Sequence, residues 1–229
     1  MVVPLIVILA LLFLVFMVYA SYSISSGVYV KAFCKKHTTD KVVSLTFDDG
    51  PHPDYTPKVL DILAEWKVEA TFFCVGKNVE SYPAIVERMQ EEGHLVGNHS
   101  YSHENNFPLL GVEKMVDELR KTDDLISSLT GMPVHFFRPP FGITNPWVRD
   151  AVAKFNYNVI GWSVRSYDTI SDDVDAVYDR VVKKITPGAV ILLHDRLPFA
   201  PELLSRLLQH LSDEGYKVMR VDKLFNVFY

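Results

Sequence analysis

Cysteine is scarce in this 229-residue chain. Cys34 and Cys74 are too few for a disulfide scaffold, and their spacing leaves pairing open. Cys74 lies in an apolar run and reads as a small core residue. A basic patch with interleaved aromatics is also missing, and a formal charge of -5 repels a phosphate backbone, which excludes nucleic acid as a partner. There is no Gly-rich phosphate cradle, no low-complexity tract, no sequence repeat and no separate carbohydrate-binding module, and nothing implies a protein partner. Charge is absent from Val2 to Ala20, which are almost wholly aliphatic or aromatic. As a helix this stretch reaches about 28 Å at about 1.5 Å per residue, enough to cross a hydrocarbon core of about 30 Å with help from its flanks. Val18-Tyr19-Ala20 resembles a signal-peptide cleavage site, but such a peptide normally has an apolar region of only about 7 to 15 residues, so an uncleaved anchor is the expectation.

What is present fits one large domain with a proper core, 48% of the residues being hydrophobic. Residues 1–20 are expected to be a transmembrane anchor or signal peptide, 21–40 a spacer and lead-in segment, and 41–229 the main folded domain. In that last part apolar strand-like runs alternate with amphipathic helical patterns. Strands are expected at 42–45, 70–75, 94–96, 134–137, 158–164, 189–193 and 217–219. Helices are expected at 56–66, where Thr56 caps and Pro57 follows it, and at 83–92, 112–129, 146–155, 173–185 and 201–211. Seven βα units with short loops predict a parallel sheet closed into a barrel one unit short of eight.

In such a barrel chemistry collects at the C-terminal strand ends, and the polar residues that break the pattern sit there. After the first strand come Asp48 and Asp49, after the third His99-Ser100-Tyr101-Ser102-His103, after the fourth Arg138-Pro139-Pro140-Phe141-Gly142, after the fifth Asp168, and after the sixth His194-Asp195. His99 and His103 are spaced i, i+4, which on a helical turn puts both imidazoles on one side of a metal ion. A carboxylate completes a facial set that suits zinc or another divalent transition metal. Arg138, stiffened by two prolines near a core, needs an acid, and Asp48 is the available partner. His194 leaves the buried run Ala189-Val190-Ile191-Leu192-Leu193 as either a satisfied core residue or a proton donor, with Asp195 and Asp168 both candidates to set its pKa.

Thr46 to Pro51 (TFDDGP), His99 to His103 (HSYSH), Arg138 to Gly142 (RPPFG), Trp162 to Asp168 and Leu192 to Asp195 (LLHD) resemble the five ordered motifs of the polysaccharide deacetylases with a NodB homology domain, carbohydrate esterase family 4. The resemblance covers about residues 40 to 225. It implies a distorted (β/α)7-type barrel related to the TIM barrel, behind an N-terminal transmembrane helix, and metal-dependent removal of acetyl groups from N-acetylated sugars. Asp49, His99 and His103 would hold the metal. Asp48 would be the general base oriented by Arg138, and His194 the general acid tuned by Asp168. Trp162 and Leu192 would floor the acetyl methyl, Pro139 and Phe141 would contact substrate, and the backbone N–H of Phe141 would serve the oxyanion. Three positions depart from the family pattern: Phe141 stands where Tyr is common, Arg165 where an acid is common, and Thr169 where Trp is common. The last two reshape one wall of the groove.

The function expected is a membrane-anchored deacetylase acting on peptidoglycan or a chitin-like glycan outside the cytoplasm, with zinc, cobalt, nickel or manganese as the metal. Lys31, Lys35 and Lys36 follow the apolar segment and by the positive-inside rule favour the opposite orientation; the chemistry outweighs them. The rivals are an O-acetyl esterase on the same site, a catalytically silent glycan-binding barrel, and a metal-dependent phosphatase, which lacks its phosphate cradle.

Overall fold

A computed structural model of the chain describes residues 2–227; the first residue of the expected anchor and the last two of the expected main folded domain lie outside the described residues. The chain opens with α1 (Val2–Tyr22), of which Pro4–Tyr22 is long and apolar enough to cross a membrane by length and composition. There follow β1 (Val42–Asp48), α2 (Thr56–Trp66), β2 (Thr71–Cys74), α3 (Gly76–Ser81), α4 (Pro83–Glu91) and β3 (Leu95–Asn98). Next come α5 (Val112–Thr130), β4 (Phe136–Phe137), α6 (Pro146–Val152), β5 (Asn158–Val159), β6 (Val164–Arg165) and α7 (Val174–Val182). The chain closes with β7 (Ala189–His194), α8 (Ala200–Asp213), β8 (Lys217–Val218) and α9 (Val221–Phe225).

The strands run in the order β5-β4-β3-β2-β1-β7-β6, every pair parallel, with β8 added against β1. This is the expected distorted (β/α)7 barrel. Its sidedness follows from the period-two alternation of a strand. On β1, Val43, Leu45 and Phe47 face outward into the core shared with α2, α4, α7 and α8, while Ser44, Thr46 and Asp48 face inward. On β7, Ala189, Ile191 and Leu193 join that outer core, and Val190, Leu192 and His194 fall on the opposite face. The leucines of α8, at 203, 204, 207, 208 and 211, recur at helical spacing and are all buried. A smaller apolar cluster of Phe73, Leu95, Phe136, Ile160 and Val190 fills the opposite side of the strands, with Val221 and Leu224 of α9 packed into it.

The run 158–164, expected as one strand, is two. The chain leaves β4 at Val159, and the Ser163 N–H donates to the Val190 carbonyl, so that β6 joins β7 instead. The break is at Gly161, where a Cβ would lie 2.4 Å from Cys34 Sγ and about 3 Å from the Ile24 side chain. Residues 21–40 therefore pack on the open seam. Phe33 N–H donates to Val159 O, Gly161 N–H to Phe33 O, and Lys36 N–H to Gly188 O. The end of α1 is bonded to the domain as well: Thr144 N–H donates to Ser21 O and its hydroxyl to Ala20 O. Two short helices, α3 and α9, were not expected, and both cysteines are free.

Candidate active site

Five of the seven non-glycine residues with left-handed backbone among the described residues lie in the loops at the C-terminal strand ends: Asp49, Ser100, His103, Phe141 and Tyr167. The other two, Lys67 and Asn226, cap helices. Such backbone is costly for a residue with a side chain and persists where the surrounding structure over-determines it. Four of the five sequence motifs end in these loops, around a cleft of about 450 Å³.

Asp48 ends β1 pointing inward and is met by Arg138, whose side chain is wholly buried. Arg138 Nη1 donates to Asp48 Oδ1 at 2.6 Å and to Thr46 Oγ1 at 2.9 Å. Nε and Nη2 donate to the carbonyls of Ile160 and Gly161, and the guanidinium lies 4.3 Å from the Phe73 ring. Burial pushes the Arg138 pKa down, and the Asp48 charge and hydrogen bond oppose that push. The pairing read from the sequence is present, and it fixes the Asp48 carboxylate in one orientation.

Asp49, His99 and His103 bring one ligand atom each within 4.8 Å of one another. Asp49 Oδ1 lies 3.5 Å from His99 Nε2 and 3.4 Å from His103 Nε2. His99 Nδ1 sits 2.7 Å from the Arg138 carbonyl, an acceptor that requires Nδ1 to carry a proton and turns Nε2 toward Asp49, as a donor when the ring is charged and as a metal-ligating lone pair when it is not. The donor set of one carboxylate and two imidazoles fits a divalent transition metal. Burial raises the Asp49 pKa, but the His99 hydrogen bond and the three neighbouring imidazoles reverse this and hold it well below the carboxylate range. Burial and the His99 charge bring His103 down to about 4, so its imidazole is neutral and available as a ligand at neutral pH.

The expected helical turn at 99–103 is absent. The segment is a loop in which left-handed Ser100 and His103 fold the chain back, bringing the two rings to 4.7 Å between centroids. Ser100 N–H is fixed by Asn98 Oδ1. The anchor for the rest is Glu118 on α5, whose Oε2 accepts from Tyr101 N–H, Ser102 N–H and the Ser102 hydroxyl at 2.7 to 3.1 Å. Sequence gave no sign of Glu118, since only helix packing brings it to the loop.

Of the two acids proposed to set His194, the geometry selects Asp168. Its Oδ1 lies 2.7 Å from His194 Nδ1 and its Oδ2 accepts the His194 backbone N–H at 2.9 Å. Burial lowers the His194 pKa, and Asp168, with Asp49 and Asp48, more than reverses it, so the net shift is upward. Asp195 faces away and is wholly buried; its Oδ2 accepts the Thr56 hydroxyl at 2.6 Å, its Oδ1 has no partner among the described residues, and burial pushes its pKa up to about 7. Thr56, expected as a helix cap, is thereby committed to Asp195.

Trp162 and Leu192 line the cleft, as does Phe141, whose ring lies 4.7 Å from His103. In the 3-10 turn Pro140–Gly142 the Gly142 N–H donates to the Pro139 carbonyl and the Ile143 N–H to the Pro140 carbonyl, while the Phe141 N–H meets no acceptor among the described residues. Gly142 has a left-handed φ of +70°, and a Cβ there would meet Trp162 at 2.3 Å. Pro139 is buried beneath this turn and is not part of the cleft lining. A further residue, Arg196, was missed although it stands two places after His194: its Nε donates to Asp49 Oδ2 at 2.9 Å.

The polysaccharide deacetylase family pattern matches residues 35–160. A peptidoglycan-N-acetylglucosamine deacetylase of Bacillus cereus is 35% identical over 188 residues, 80% of this chain and 68% of that protein. The peptidoglycan-N-acetylmuramic acid deacetylase PdaC of Bacillus subtilis is 35% identical over 199 residues, of whose length the chain spans 41%; its solved structure superposes with a TM-score of 0.77 at 34% identity, covering 82% of this chain and 91% of that one. A family pseudoenzyme from Bacillus anthracis matches equally well, with a TM-score of 0.77 at 32% identity over 83% of this chain and 67% of that one.

Proposed function

This chain belongs to the polysaccharide deacetylase family, and from that premise we propose that it hydrolyses the N-acetyl groups of a peptidoglycan-type glycan outside the cytoplasm, releasing acetate. Since a pseudoenzyme shares the fold, likeness alone is weak support. The observation that carries the reading is a carboxylate locked by a buried arginine and a histidine locked by a buried aspartate, both beside the cluster of Asp49, His99 and His103. A silent binder has no use for a base and an acid together.

Asp49, His99 and His103 would hold the metal, with zinc the best fit to the donor set. Bound there, it supplies a lowered pKa for a coordinated water and polarisation of the acetyl carbonyl. Asp48, gripped through Oδ1, keeps Oδ2 for the proton of the attacking water. The N–H of Phe141 donates to the oxygen on which charge develops, a contribution typically worth about 3 kcal/mol. Trp162 and Leu192 supply an apolar floor for the acetyl methyl. His194, charged through Asp168, gives its Nε2 proton to the leaving amine nitrogen, which is otherwise a poor leaving group. The helix α1 would hold the catalytic domain at the membrane.

The test is acetate release from N-acetylglucosamine oligomers, from peptidoglycan and from an O-acetyl ester, with and without chelator, beside Asp48→Asn. Chelator-sensitive release from the amides, abolished by the substitution while metal stays bound, supports the deacetylase. Release from the ester alone moves the reading to an esterase. Metal binding without release from any of the three makes the chain a silent binder.

A further inference from the structure

The charges of the cleft wall are nearly all answered within the chain. Asp48 is paired with Arg138, Asp49 with Arg196 and the imidazoles, and Lys77 lies 3.7 Å from Glu104. Arg165 is the exception: it lines the cleft, it is exposed, and it has no ion pair or hydrogen-bonded side chain among the described residues. It is nevertheless held. Its guanidinium lies 5.4 Å from the Trp162 ring and 4.8 Å from the Tyr167 ring. Tyr167 in turn is placed by its left-handed backbone and has the Arg180 guanidinium 5.8 Å from its ring centre, Arg180 being bonded to the Ser166 carbonyl at 2.7 Å. Stacking on aromatic faces engages the plane of a guanidinium and leaves its N–H edge for another group. Arg165 also pairs in register with Leu192 on β7, two residues before His194, so it stands beside the acetyl floor rather than at a distant rim. Arg196 contributes a second cation: among the described residues only its Nε is bonded, and its side chain is 43% exposed.

We propose that Arg165, assisted by Arg196, binds a carboxylate carried by the substrate, so that the chain prefers carboxylate-bearing N-acetylated glycans over neutral ones. The proposal rests on the deacetylase reading of the same cleft. An unpaired, pre-oriented guanidinium matches the two oxygens of a carboxylate and costs little ordering on binding. Where the family commonly has an acid at this position, the wall would repel the same group. The carboxylate has two sources, an acid substituent on the sugar ring or the peptide attached to it, and one experiment distinguishes them.

The experiment measures dissociation constants by calorimetry for the full zinc-loaded chain in detergent, carrying Asp48→Asn to block turnover. The ligands are an N-acetylglucosamine tetrasaccharide, a peptidoglycan tetrasaccharide freed of peptide, and the same tetrasaccharide with its peptides. We expect binding at least tenfold tighter for a carboxylate-bearing ligand. Preference already present without peptide assigns the ring substituent, and preference appearing only with peptide assigns the peptide. Added Arg165→Asp should abolish or invert the preference, and Arg165→Met, which keeps the stem on Trp162, should reduce it at least fivefold. Equal affinities within twofold for all three ligands, or a preference that survives Arg165→Asp, overturns the proposal. Acetate release by the unsubstituted chain from the same glycans is read in parallel, so a silent reaction counts against the deacetylase while the binding comparison still decides this inference.

Discussion

His194 presents Nε2 to the cleft because Asp168 occupies its Nδ1 and its backbone N–H together. The raised pKa of the imidazole keeps it protonated to higher pH than a free histidine, as the proposed proton donation to an amine requires. Asp168→Asn preserves an acceptor for Nδ1 but removes the charge; the His194 pKa then falls, and the alkaline limb of the kcat profile moves to lower pH. General acid catalysis is worth about 10² to 10⁴, so kcat at pH 8 should drop by at least about tenfold, and an unmoved limb would rule His194 out as the titrating acid. Arg138 makes the second residue-scale prediction. Its replacement by Met leaves Asp48 buried beside an apolar side chain, at a cost of about 3 to 5 kcal/mol, readable as a lowered denaturation midpoint. Adding Asp48→Asn to that variant should recover much of the loss, because the orphaned charge is then gone. The Arg138 pairing was legible in the chain, since an arginine pinned by Pro139 and Pro140 needs an acid and β1 supplies one at Asp48, whereas the residues alone left His194 between Asp168 and Asp195 until the fold turned Asp195 toward Thr56.

At the scale of elements, the loop that carries His99 and His103 has no secondary structure of its own and borrows its shape from α5. Glu118→Ala removes the acceptor of three hydrogen bonds and should weaken zinc binding about 10- to 100-fold, measured by competition with a chromophoric chelator, while Glu118→Gln, which keeps one acceptor oxygen, should lose less. The turn between α4 and β3 responds to acid instead. His94 Nδ1 accepts the Ala70 N–H, and burial, helped by the Arg220 charge, lowers its pKa to about 4 against 6.5 for the unfolded chain, although Glu92 and Glu69 pull it upward. The unfolded chain therefore binds a proton that the folded one refuses between those values. Stability from this group is complete above pH 6.5 and is lost as pH falls toward 4, by up to about 3 kcal/mol. The difference between denaturation midpoints at pH 7.5 and 5 should shrink in His94→Gln. Elements were readable where one periodicity ran unbroken, as in the leucines of α8. The run 158–164 misled because Val159, Ile160, Trp162 and Val164 carry one mostly apolar pattern across Gly161, and the break depends on a segment more than 120 residues earlier that needs the space at Gly161.

For the whole molecule, the seam between β5 and β6 is covered from outside the barrel. A fragment beginning at residue 41 loses the three backbone hydrogen bonds of Phe33 and Lys36 and the contact of the Phe33 and Phe225 rings at 4.9 Å. At about 1 kcal/mol per bond, and roughly 2 to 4 °C per kcal/mol in a domain of this size, it should melt about 6 to 12 °C below a fragment beginning at residue 23. Equal melting temperatures would mean the segment is mere decoration. The barrel itself was legible from the alternation of strand and helix, but a seam is a property of closure, which no local pattern encodes. The joint at Thr144 carries the last consequence. A catalytic head on a slack leash can graze across a shell of polymer, whereas here the end of α1 is bolted to the loop three residues beyond Phe141. Were α1 lodged in a bilayer, as proposed, this joint would hold the mouth close above the lipid. Strands lying farther out would then pass beyond its reach, and the polymer would be edited as it emerges and left unaltered once it has moved away.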